Sequence, residues 1–189
     1  MDKPVVIFGA ATLSELVFEI LTAQNRKILG TTADLIPAVF SEQSKFLGLF
    51  SELKLDFEKV DFCVCIGDNR GRMQVMNRIL SMGGRITNAI HPQSFISNSS
   101  NIGYGNIFFP FAYVGSRVSM GNGNVVFPFA SVTHHTNIEN YVFFAPNSSI
   151  GGHSDIGSFA KFGMNATVPA NSQVPSDTHV KPGYVFGGE

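Results

Sequence analysis

Apolar side chains recur with a strict period of six residues through the second half of the chain. Every sixth position is apolar: Ile96, Ile102, Phe108, Val114, Met120, Val126, Val132, Ile138, Phe144, Ile150, Ile156, Phe162, Val168, Val174 and Val180. Four residues after these positions the side chains are mostly small: Ser100, Ala112, Ala130, Thr136, Ser148, Ser154, Ala160, Ala166, Ser172 and Thr178. This short fixed period predicts a solenoid, because each unit buries its apolar residue against its neighbours.

A longer period of eighteen residues runs through the same region, as the spacing of Pro110, Pro128 and Pro146 shows. Three six-residue units therefore make one coil, and residues i and i+18 are expected to lie one strand spacing apart, about 4.8 Å. The pattern favours a left-handed parallel β-helix over a β-sandwich, because a sandwich has no reason to hold one phase over so many units.

Before the repeats, the pattern alternates between strands and helices. Val5–Phe8 is a short apolar run that ends at Gly9, which predicts a buried strand. Thr12, with Glu15 three residues later, fits a capping box at the start of a helix. The same patterns predict strands at 27–31, 60–66 and 85–90, and a second helix after Asn69 that carries Met73, Met76, Ile79 and Leu80.

This alternation predicts an α/β N-terminal Rossmann-like domain over residues 1–90. An all-β left-handed parallel β-helix of hexapeptide repeats is expected to follow over residues 91–189. The charge distribution supports a boundary near residue 90. Between residues 96 and 180 the charged side chains are few: Arg117, Glu139, Asp155, Lys161 and Asp177.

The overall composition excludes several kinds of partner. The formal net charge is -1 over 189 residues, so no broad basic surface argues for nucleic acid or an anionic membrane. No apolar run is long enough to span a bilayer, and the N-terminus lacks the pattern of a secretory signal. Cys63 and Cys65 are expected to be reduced core residues, which fits a cytoplasmic protein.

Two turns that follow predicted strands are candidates for binding a phosphate group. Free N–H groups at helix starts attract phosphate, and parallel α/β sheets bind ligands where their strand order reverses. The candidates are Gly9, Ala10, Ala11, Gly67, Asn69 and Arg72. Because the first turn lacks the G-x-G-x-x-G pattern, a purely structural turn is the alternative.

Three histidines in the repeats are candidates for chemistry. The eighteen-residue register places Gly152 beside His134, with Ala170 beyond it, and stacks His153 on His135. An imidazole near neutrality can accept a proton, and an exposed glycine amide can donate to an oxyanion. His134 is expected outside the coil near a corner. The alternative is a histidine used only at the surface or in a trimer contact.

Taken together, these features resemble the hexapeptide-repeat sugar acyltransferases, which include sialic acid O-acetyltransferases and UDP-4-amino-sugar N-acetyltransferases. The resemblance covers nearly the whole chain. It rests on these segments: Val5–Phe8 with Gly9-Ala10, Ile66-Gly67-Asp68-Asn69 with Arg72, Ile90-His91-Pro92, Val132-Thr133-His134, and Ile150-Gly151-Gly152. Many acyltransferases share the repeat, but its combination with a small N-terminal domain is much more specific.

The resemblance implies an acyl-CoA-dependent N-acyltransferase, and more specifically an N-acetyltransferase, that acts on a nucleotide-linked amino sugar. The histidine matching His134 would be the general base, and the amide matching Gly152 would stabilise the oxyanion. His135 and His153 would orient His134. The amine would attack the thioester directly, so no covalent enzyme intermediate and no metal are implied.

The resemblance also implies two ligand sites and an assembly. Acetyl-CoA or another acyl-CoA would lie along the β-helix, near Phe143, Gly151, Gly152 and Ala170. A UDP-, dTDP- or GDP-linked amino sugar would bind through Gly9, Ala10, Ala11, Asp34, Gly67, Asn69 and Arg72. A homotrimer with active sites between adjacent β-helices is expected.

Two departures from the family pattern concern the acyl-transfer site. His135 stands where an acidic residue usually follows the base, and Phe143 stands where a second histidine lies near the acyl donor. A sugar O-acetyltransferase is one alternative, but the missing acidic residue counts against it because a hydroxyl needs more help in losing its proton. A non-catalytic sugar-nucleotide-binding homologue is a second alternative, and the altered first turn favours it. A zinc enzyme of the γ-carbonic anhydrase type is a third, but His134 and His135 are adjacent and are not expected to face one metal.

Two further departures concern the nucleotide site. Ala11-Thr12-Leu13 replaces the usual first turn, and Ala33-Asp34 replaces a pair of aspartates. The sequence therefore leaves open both the sugar and the nucleotide base.

Overall fold

A computed structural model of the chain describes residues 3–9, 11–36 and 44–188. The chain divides into two units, Met1–Ile90 and His91–Glu189. Among the described residues, no helix has the length and apolar character that crossing a membrane requires.

The first unit is a parallel sheet with helices between its strands. Its strands are β1 Val5–Phe8, β2 Ile28–Ala33, β3 Phe46–Leu49, β4 Asp61–Val64, β5 Arg85–Ile86 and β6 Ala89–Ile90. Its helices are α1 Thr12–Ala23 and α2 Asn69–Ser81, with 3-10 turns at Phe50–Glu52 and Phe57–Lys59. Five strands pair in the order β3-β2-β1-β4-β5, all of them parallel. The predicted Rossmann-like α/β arrangement is confirmed.

Several details of this unit differ from the prediction. The capping box at Thr12 is wrong, because Ala11 is the N-cap and makes no side-chain cap hydrogen bond. Ala11 is extended while Thr12 is already helical, so the Thr12 side chain is one residue too late to cap the helix. The predicted strand 85–90 is two short strands, and β3 was not predicted at all.

The buried face of α2 also differs from the predicted one. Leu80 is exposed and Met73 is half-buried. Met76 and Ile79 are buried, and the other buried positions include Asn69 and Arg72. The pattern of apolar residues does not predict that Asn69 and Arg72 are buried. Both can be buried because the folded turn before α2 provides hydrogen-bond partners for their side chains.

The second unit is a β-helix of two-residue strands. Its strands are β7 Phe95–Ile96, β8 Asn101–Ile102, β9 Ile107–Phe108, β10 Tyr113–Val114, β11 Ser119–Met120, β12 Val125–Val126, β13 Ser131–Val132, β14 Asn137–Ile138, β15 Phe143–Phe144, β16 Ser149–Ile150, β17 Asp155–Ile156, β18 Lys161–Phe162, β19 Thr167–Val168, β20 Gln173–Val174 and β21 His179–Val180. The predicted left-handed β-helix is confirmed.

Every third strand stacks on the same face of this helix. The first face holds β7, β10, β13, β16 and β19, the second holds β8, β11, β14, β17 and β20, and the third holds β9, β12, β15, β18 and β21. All these pairs are parallel, with Cα partners eighteen residues apart, as in Val114↔Val132. The apolar residue of each unit points inward. Those from Phe108 to Val180 are buried, while Ile96 and Ile102 are half-buried.

Many corners of the β-helix place a non-glycine residue in the left-handed backbone region. These residues are Phe111, Arg117, Phe129, His135, Tyr141, Asn147, His153, Phe159, Asn165, Asn171 and Asp177, with φ between 56° and 64°. Each lies three residues after an inward apolar position, where the chain turns from one face to the next. Asparagine tolerates this conformation best among non-glycine residues, which makes it a suitable substitution at such corners.

The core of the β-helix predicts a large effect on stability. Phe144 is fully buried and stacks on Phe162, with ring centroids 5.3 Å apart. We expect Phe144→Ala to lower the free energy of unfolding by about 3–5 kcal/mol, because it removes a buried ring and leaves a cavity. Chemical denaturation followed by circular dichroism measures this. Met164→Ala is the control, since Met164 is 54% exposed and its loss should cost far less.

Candidate functional site: a histidine corner and a strand-end edge

Three histidines meet at the corner between the first and second faces of the β-helix. His134 and His135 lie in the turn between β13 and β14, and His153 lies one coil later between β16 and β17. All three side chains are exposed. We call His134, His135 and His153 the histidine corner.

The ring of His134 lies directly over the backbone of Gly152. A Cβ atom added at Gly152 would stand 2.7 Å from Cε1 of His134 and 3.1 Å from each of its ring nitrogens. Gly152 therefore has to lack a side chain if the imidazole is to occupy this position. Within the described part of the chain, the Gly152 N–H donates to no other residue. The imidazole and this amide thus lie side by side, as the eighteen-residue register predicts, but Gly152 is buried and not exposed as expected.

His135 and His153 stack in one column. Their ring centroids are 4.8 Å apart and their planes differ by 13°, which is the stack expected from the register. Both residues have a backbone φ of 57°, so their side chains project from the corner in the same direction. Partial desolvation lowers the pKa of His135 below its usual value, and His153, Arg117 and His134 add to this effect as neighbouring positive or ionisable groups. His135 is therefore biased toward its neutral form.

A hydrogen bond can join the two adjacent imidazoles. Nδ1 of His134 and Nδ1 of His135 lie 3.2 Å apart, so one of them can donate to the other. If His134 donates from Nδ1, its Nε2 keeps a lone pair that can accept a proton. Arg117 Nη1 lies 3.4 Å from His135 Nε2, which is beyond the usual hydrogen-bond range.

His134 and His135 lie side by side at the corner and do not point to opposite sides. One ligand atom from each of His134, His135 and His153 lies within 4.8 Å of the others. The reason lies in the turn: His135 takes the left-handed conformation, and its side chain leaves the corner beside that of His134. Two adjacent residues in an extended strand would have pointed to opposite sides.

Of the residues expected near an acyl donor, some lie at the histidine corner and one lies on a different face of the β-helix. Ala170 lies at the same corner as His134, one coil beyond Gly152, and is exposed. Gly151 lies close beneath Ala170, because an added Cβ would meet Ala170 N at 2.3 Å. Phe143 lies instead on the third face, in β15, where its ring contacts Phe127 at 5.2 Å. A single chain therefore does not bring Phe143 to the histidine corner.

In the first unit, the expected nucleotide-binding turns follow β1 and β4, which are neighbours in the sheet. The strand order reverses here, which is the usual ligand position in such sheets. Gly9 has φ of 139°, and an added Cβ would stand 2.7 Å from Cys65 O, so only glycine fits. Gly67 and Ala11 are exposed at this edge, whereas Ala10 lies outside the described residues.

Arg72 and Asn69 are buried beneath this edge. Arg72 is 0% exposed, and its Nη1 donates to Ile66 O at 2.7 Å while its Nη2 donates to Asn69 Oδ1 at 2.8 Å. We therefore assign both side chains to shaping the turn before α2, rather than to direct contact with a ligand. Nearby Cys65 is buried, and burial raises the pKa of its thiol, which fits an inert core cysteine.

Asp34, which follows β2 at the same end of the sheet, pairs with a residue that the sequence did not point to. Arg78 Nη2 lies 2.6 Å from Asp34 Oδ1. The Arg78 guanidinium also lies over the rings of Phe50 and Phe8, at 4.5 Å and 5.4 Å from their centroids. Because Asp34 and Arg78 are far apart in sequence and share no motif, only the folded sheet reveals this pair.

The stacked imidazoles make a prediction that solution NMR can check. We expect His135 to titrate with a pKa below the usual value, and His153→Asn to raise it, because the neighbouring ring and the shelter it provides are removed. Asparagine suits the left-handed backbone at residue 153, so the corner should stay folded. A His135 pKa that does not move in His153→Asn would contradict this description of the stack.

One known protein family matches part of the first unit. Residues 4–79 match the family described as the PglD N-terminal domain. PerB from Caulobacter crescentus, solved with CoA and GDP-perosamine, is 26% identical with a TM-score of 0.90. That match covers 96% of this chain and 87% of PerB.

A second solved structure shares the fold. The acetyltransferase domain of PglB from Neisseria gonorrhoeae, in complex with acetyl coenzyme A, is 23% identical with a TM-score of 0.89. The match covers 97% of this chain and 90% of the PglB domain. No curated protein sequence matches this chain. The likeness to both structures extends over both units of the chain.

Proposed function

We propose that this chain is a hexapeptide-repeat sugar acyltransferase that transfers an acyl group from acyl-CoA to the amine of a nucleotide-linked amino sugar. The match of residues 4–79 to the PglD N-terminal domain and the likeness to PerB over both units support this proposal. Use of acyl-CoA as the donor is supported by the two similar Caulobacter crescentus structures, which were solved with CoA and GDP-perosamine. We further propose that the acceptor is the amine nitrogen of the sugar and that His134 and Gly152 carry out the reaction. The observation that carries it is the His134 ring held against the Gly152 backbone.

His134 is the general base of the proposed reaction. The neutral amine of the sugar attacks the thioester carbonyl carbon, and Nε2 of His134 takes a proton from the attacking nitrogen. The His135 Nδ1, 3.2 Å from the His134 Nδ1, accepts a hydrogen bond that keeps the Nε2 lone pair available. Donation from Arg117 to His135 Nε2 would favour the opposite tautomer, so the active form needs the exposed Arg117 side chain turned away.

The Gly152 N–H stabilises the charge that develops on the carbonyl oxygen. As the new C–N bond forms, the carbonyl becomes a tetrahedral oxyanion, which a preorganised amide beside the base can hold. The carbon–sulfur bond then breaks, coenzyme A leaves as a thiolate that takes up a proton, and the acylated amine remains. The amine is already a good nucleophile, so the route needs no covalent enzyme intermediate.

An amine acceptor agrees better with the corner than a hydroxyl acceptor does. A hydroxyl needs more help in losing its proton, and His135 supplies no negative charge beside His134. PerB, which is similar to this chain, was solved with GDP-perosamine and CoA, and a second similar structure from Caulobacter crescentus, 25% identical, is described as a mutant of perosamine N-acetyltransferase. We therefore prefer an amino sugar over a hydroxyl sugar as the acceptor.

The first unit is proposed to hold the nucleotide at the edge formed by Gly9, Ala11 and Gly67. The exposed start of α1, at Ala11 and Thr12, offers N–H groups for phosphate, whereas at the start of α2 the Asp68 side chain already accepts a hydrogen bond from Gly71 N–H. Asp34 and its Arg78 partner are proposed to contact the nucleoside at the same end of the sheet.

The acyl-CoA site is proposed to be completed by a second copy of the chain in a homotrimer. Gly151, Gly152 and Ala170 lie at the histidine corner, whereas Phe143 lies on another face of the same chain. Phe143 can therefore reach an acyl donor at this corner only from a neighbouring subunit. Multi-angle light scattering on the purified protein is expected to give the mass of three chains.

A coenzyme A release assay tests the proposed function. Purified protein is mixed with acetyl-CoA or a longer acyl-CoA and with UDP-, dTDP- or GDP-linked amino sugars, each beside its hydroxyl counterpart. We expect thiol release with at least one amino sugar and little with the matching hydroxyl sugar. Release only with hydroxyl sugars would replace the N-acyltransferase by an O-acyltransferase. Tight binding of a sugar nucleotide without turnover of any donor would refute both.

A further inference from the structure

The histidine corner brings together three imidazole side chains that can each bind a metal ion. One nitrogen from each of His134, His135 and His153 lies within 4.8 Å of the other two. The three rings are exposed, and their centroids lie 5.3 Å, 5.2 Å and 4.8 Å apart. Imidazole nitrogen is a preferred ligand of zinc and of similar divalent transition metals.

The closest two nitrogens already have the spacing of a coordination edge. The His134 and His135 Nδ1 atoms are 3.2 Å apart. A metal about 2.05 Å from each nitrogen would see them at an angle of about 103°, close to the tetrahedral value. The cation would take the place of the proton that the two nitrogens otherwise share.

The third ligand needs a small change of side-chain position. His153 stacks almost parallel to His135, at 13°, so one of these rings must turn for both lone pairs to meet a metal. Exposed imidazoles turn about their terminal torsion at low cost, because that torsion is broad. Arg117 is the nearby cation, at 3.4 Å from His135 Nε2, and its exposed side chain can swing into solvent.

We infer that His134, His135 and His153 form a binding site for one divalent transition-metal ion, Zn²⁺ or a similar cation, which inhibits the enzyme. A metal on Nδ1 of His134 leaves the proton of the neutral ring on Nε2. Nε2 then cannot accept the proton of the attacking amine. The same residue thus serves as a base without metal and as a ligand with metal. The inhibition rests on the proposed function, whereas metal binding does not.

Co²⁺ is the probe that tests the site directly. Metal-free protein, treated with EDTA and dialysed, is titrated with Co²⁺ in the absence of any substrate. We expect binding of one ion per chain with the strong visible absorption of a four-coordinate site. His135→Asn and His153→Asn should each weaken binding by at least about tenfold, since loss of even an outer-shell partner of a metal ligand commonly costs this much.

Matched variants keep the test independent of folding. Asparagine suits the left-handed φ at both positions, and circular dichroism confirms that each variant is folded. His179→Asn removes an exposed histidine outside the corner and should leave the affinity unchanged. Equal Co²⁺ affinity in wild type, His135→Asn and His153→Asn would overturn the site. So would an equal loss in His179→Asn, because that is the behaviour of scattered surface histidines.

A turnover measurement separates this inference from the proposed function. Zn²⁺ at the concentration that saturates the site should abolish acyl transfer, and EDTA should restore it. Full turnover with the site saturated would contradict the inhibition. Absence of turnover in the EDTA-treated protein would count against acyl transfer itself, because that protein holds no metal.

Discussion

His134→Asn is expected to lower the rate of acyl transfer by about 10²–10⁴-fold while the protein stays folded. The substitution removes the base beside Gly152, and the amine must then lose its proton to water. His134 is exposed and supports no buried contact of the core, so the free energy of unfolding should change little. The assay is initial-rate thiol release at saturating acetyl-CoA and amino sugar.

His179→Asn is the control for this variant. It makes the same change at an exposed strand residue, in β21. The control should keep the wild-type rate. Calorimetric binding of acetyl-CoA should be similar in both variants, because the base acts on the acceptor rather than on the donor. A His134→Asn enzyme with the wild-type rate would remove His134 as the base.

Gly152→Ala is expected to lower turnover by about 10²-fold or more with only a small effect on stability. The new Cβ would stand 2.7 Å from His134 Cε1, so the ring must move away from the amide. A displacement of about 1 Å at a catalytic group can cost about 10²-fold in rate. The φ of Gly152 lies outside the left-handed region, so alanine strains the side chain of His134 rather than the backbone.

Gly183→Asn is the matched control for Gly152→Ala. Gly183 lies in the same unit, has φ of 75° and has open space around its Cα, and asparagine tolerates this conformation. It should keep both stability and turnover. Thermal unfolding and initial rates on the three proteins decide the matter. Unchanged turnover in Gly152→Ala would mean that neither the amide nor the ring position matters for the reaction.

The β-helix could be predicted in detail because its period is built into the chain. Every sixth residue from Phe108 to Val180 is apolar and buried in the structure, and the paired strands are eighteen residues apart in sequence. The same count places His134 beside Gly152 and His153 on His135. The proximity of His134 to His135 could not be read from the count, because it depends on the left-handed backbone at His135.

The first unit was predicted less well because its contacts join distant parts of the sequence. The sequence predicts Arg72 as a cation that binds the phosphate-containing ligand, yet its side chain is fully buried and donates a hydrogen bond to the carbonyl of Ile66. Arg78 meets Asp34 across the sheet, and no local pattern marks either partner. In the β-helix, one sequence separation of eighteen residues determines which residues are in contact. In the sheet of the first unit, each contact joins residues with a different sequence separation.

The measurement that tests the central claim most directly is the identity of the product. The protein is incubated with acetyl-CoA carrying a ¹³C-labelled acetyl group and with GDP-, UDP- and dTDP-linked amino sugars, and the products are examined by mass spectrometry and NMR. We predict an amide bond between the labelled acetyl group and the sugar nitrogen, with coenzyme A released in equal amount and both lost in His134→Asn. Labelled acetyl found only on a sugar oxygen, or coenzyme A released without any acylated sugar, would contradict the account.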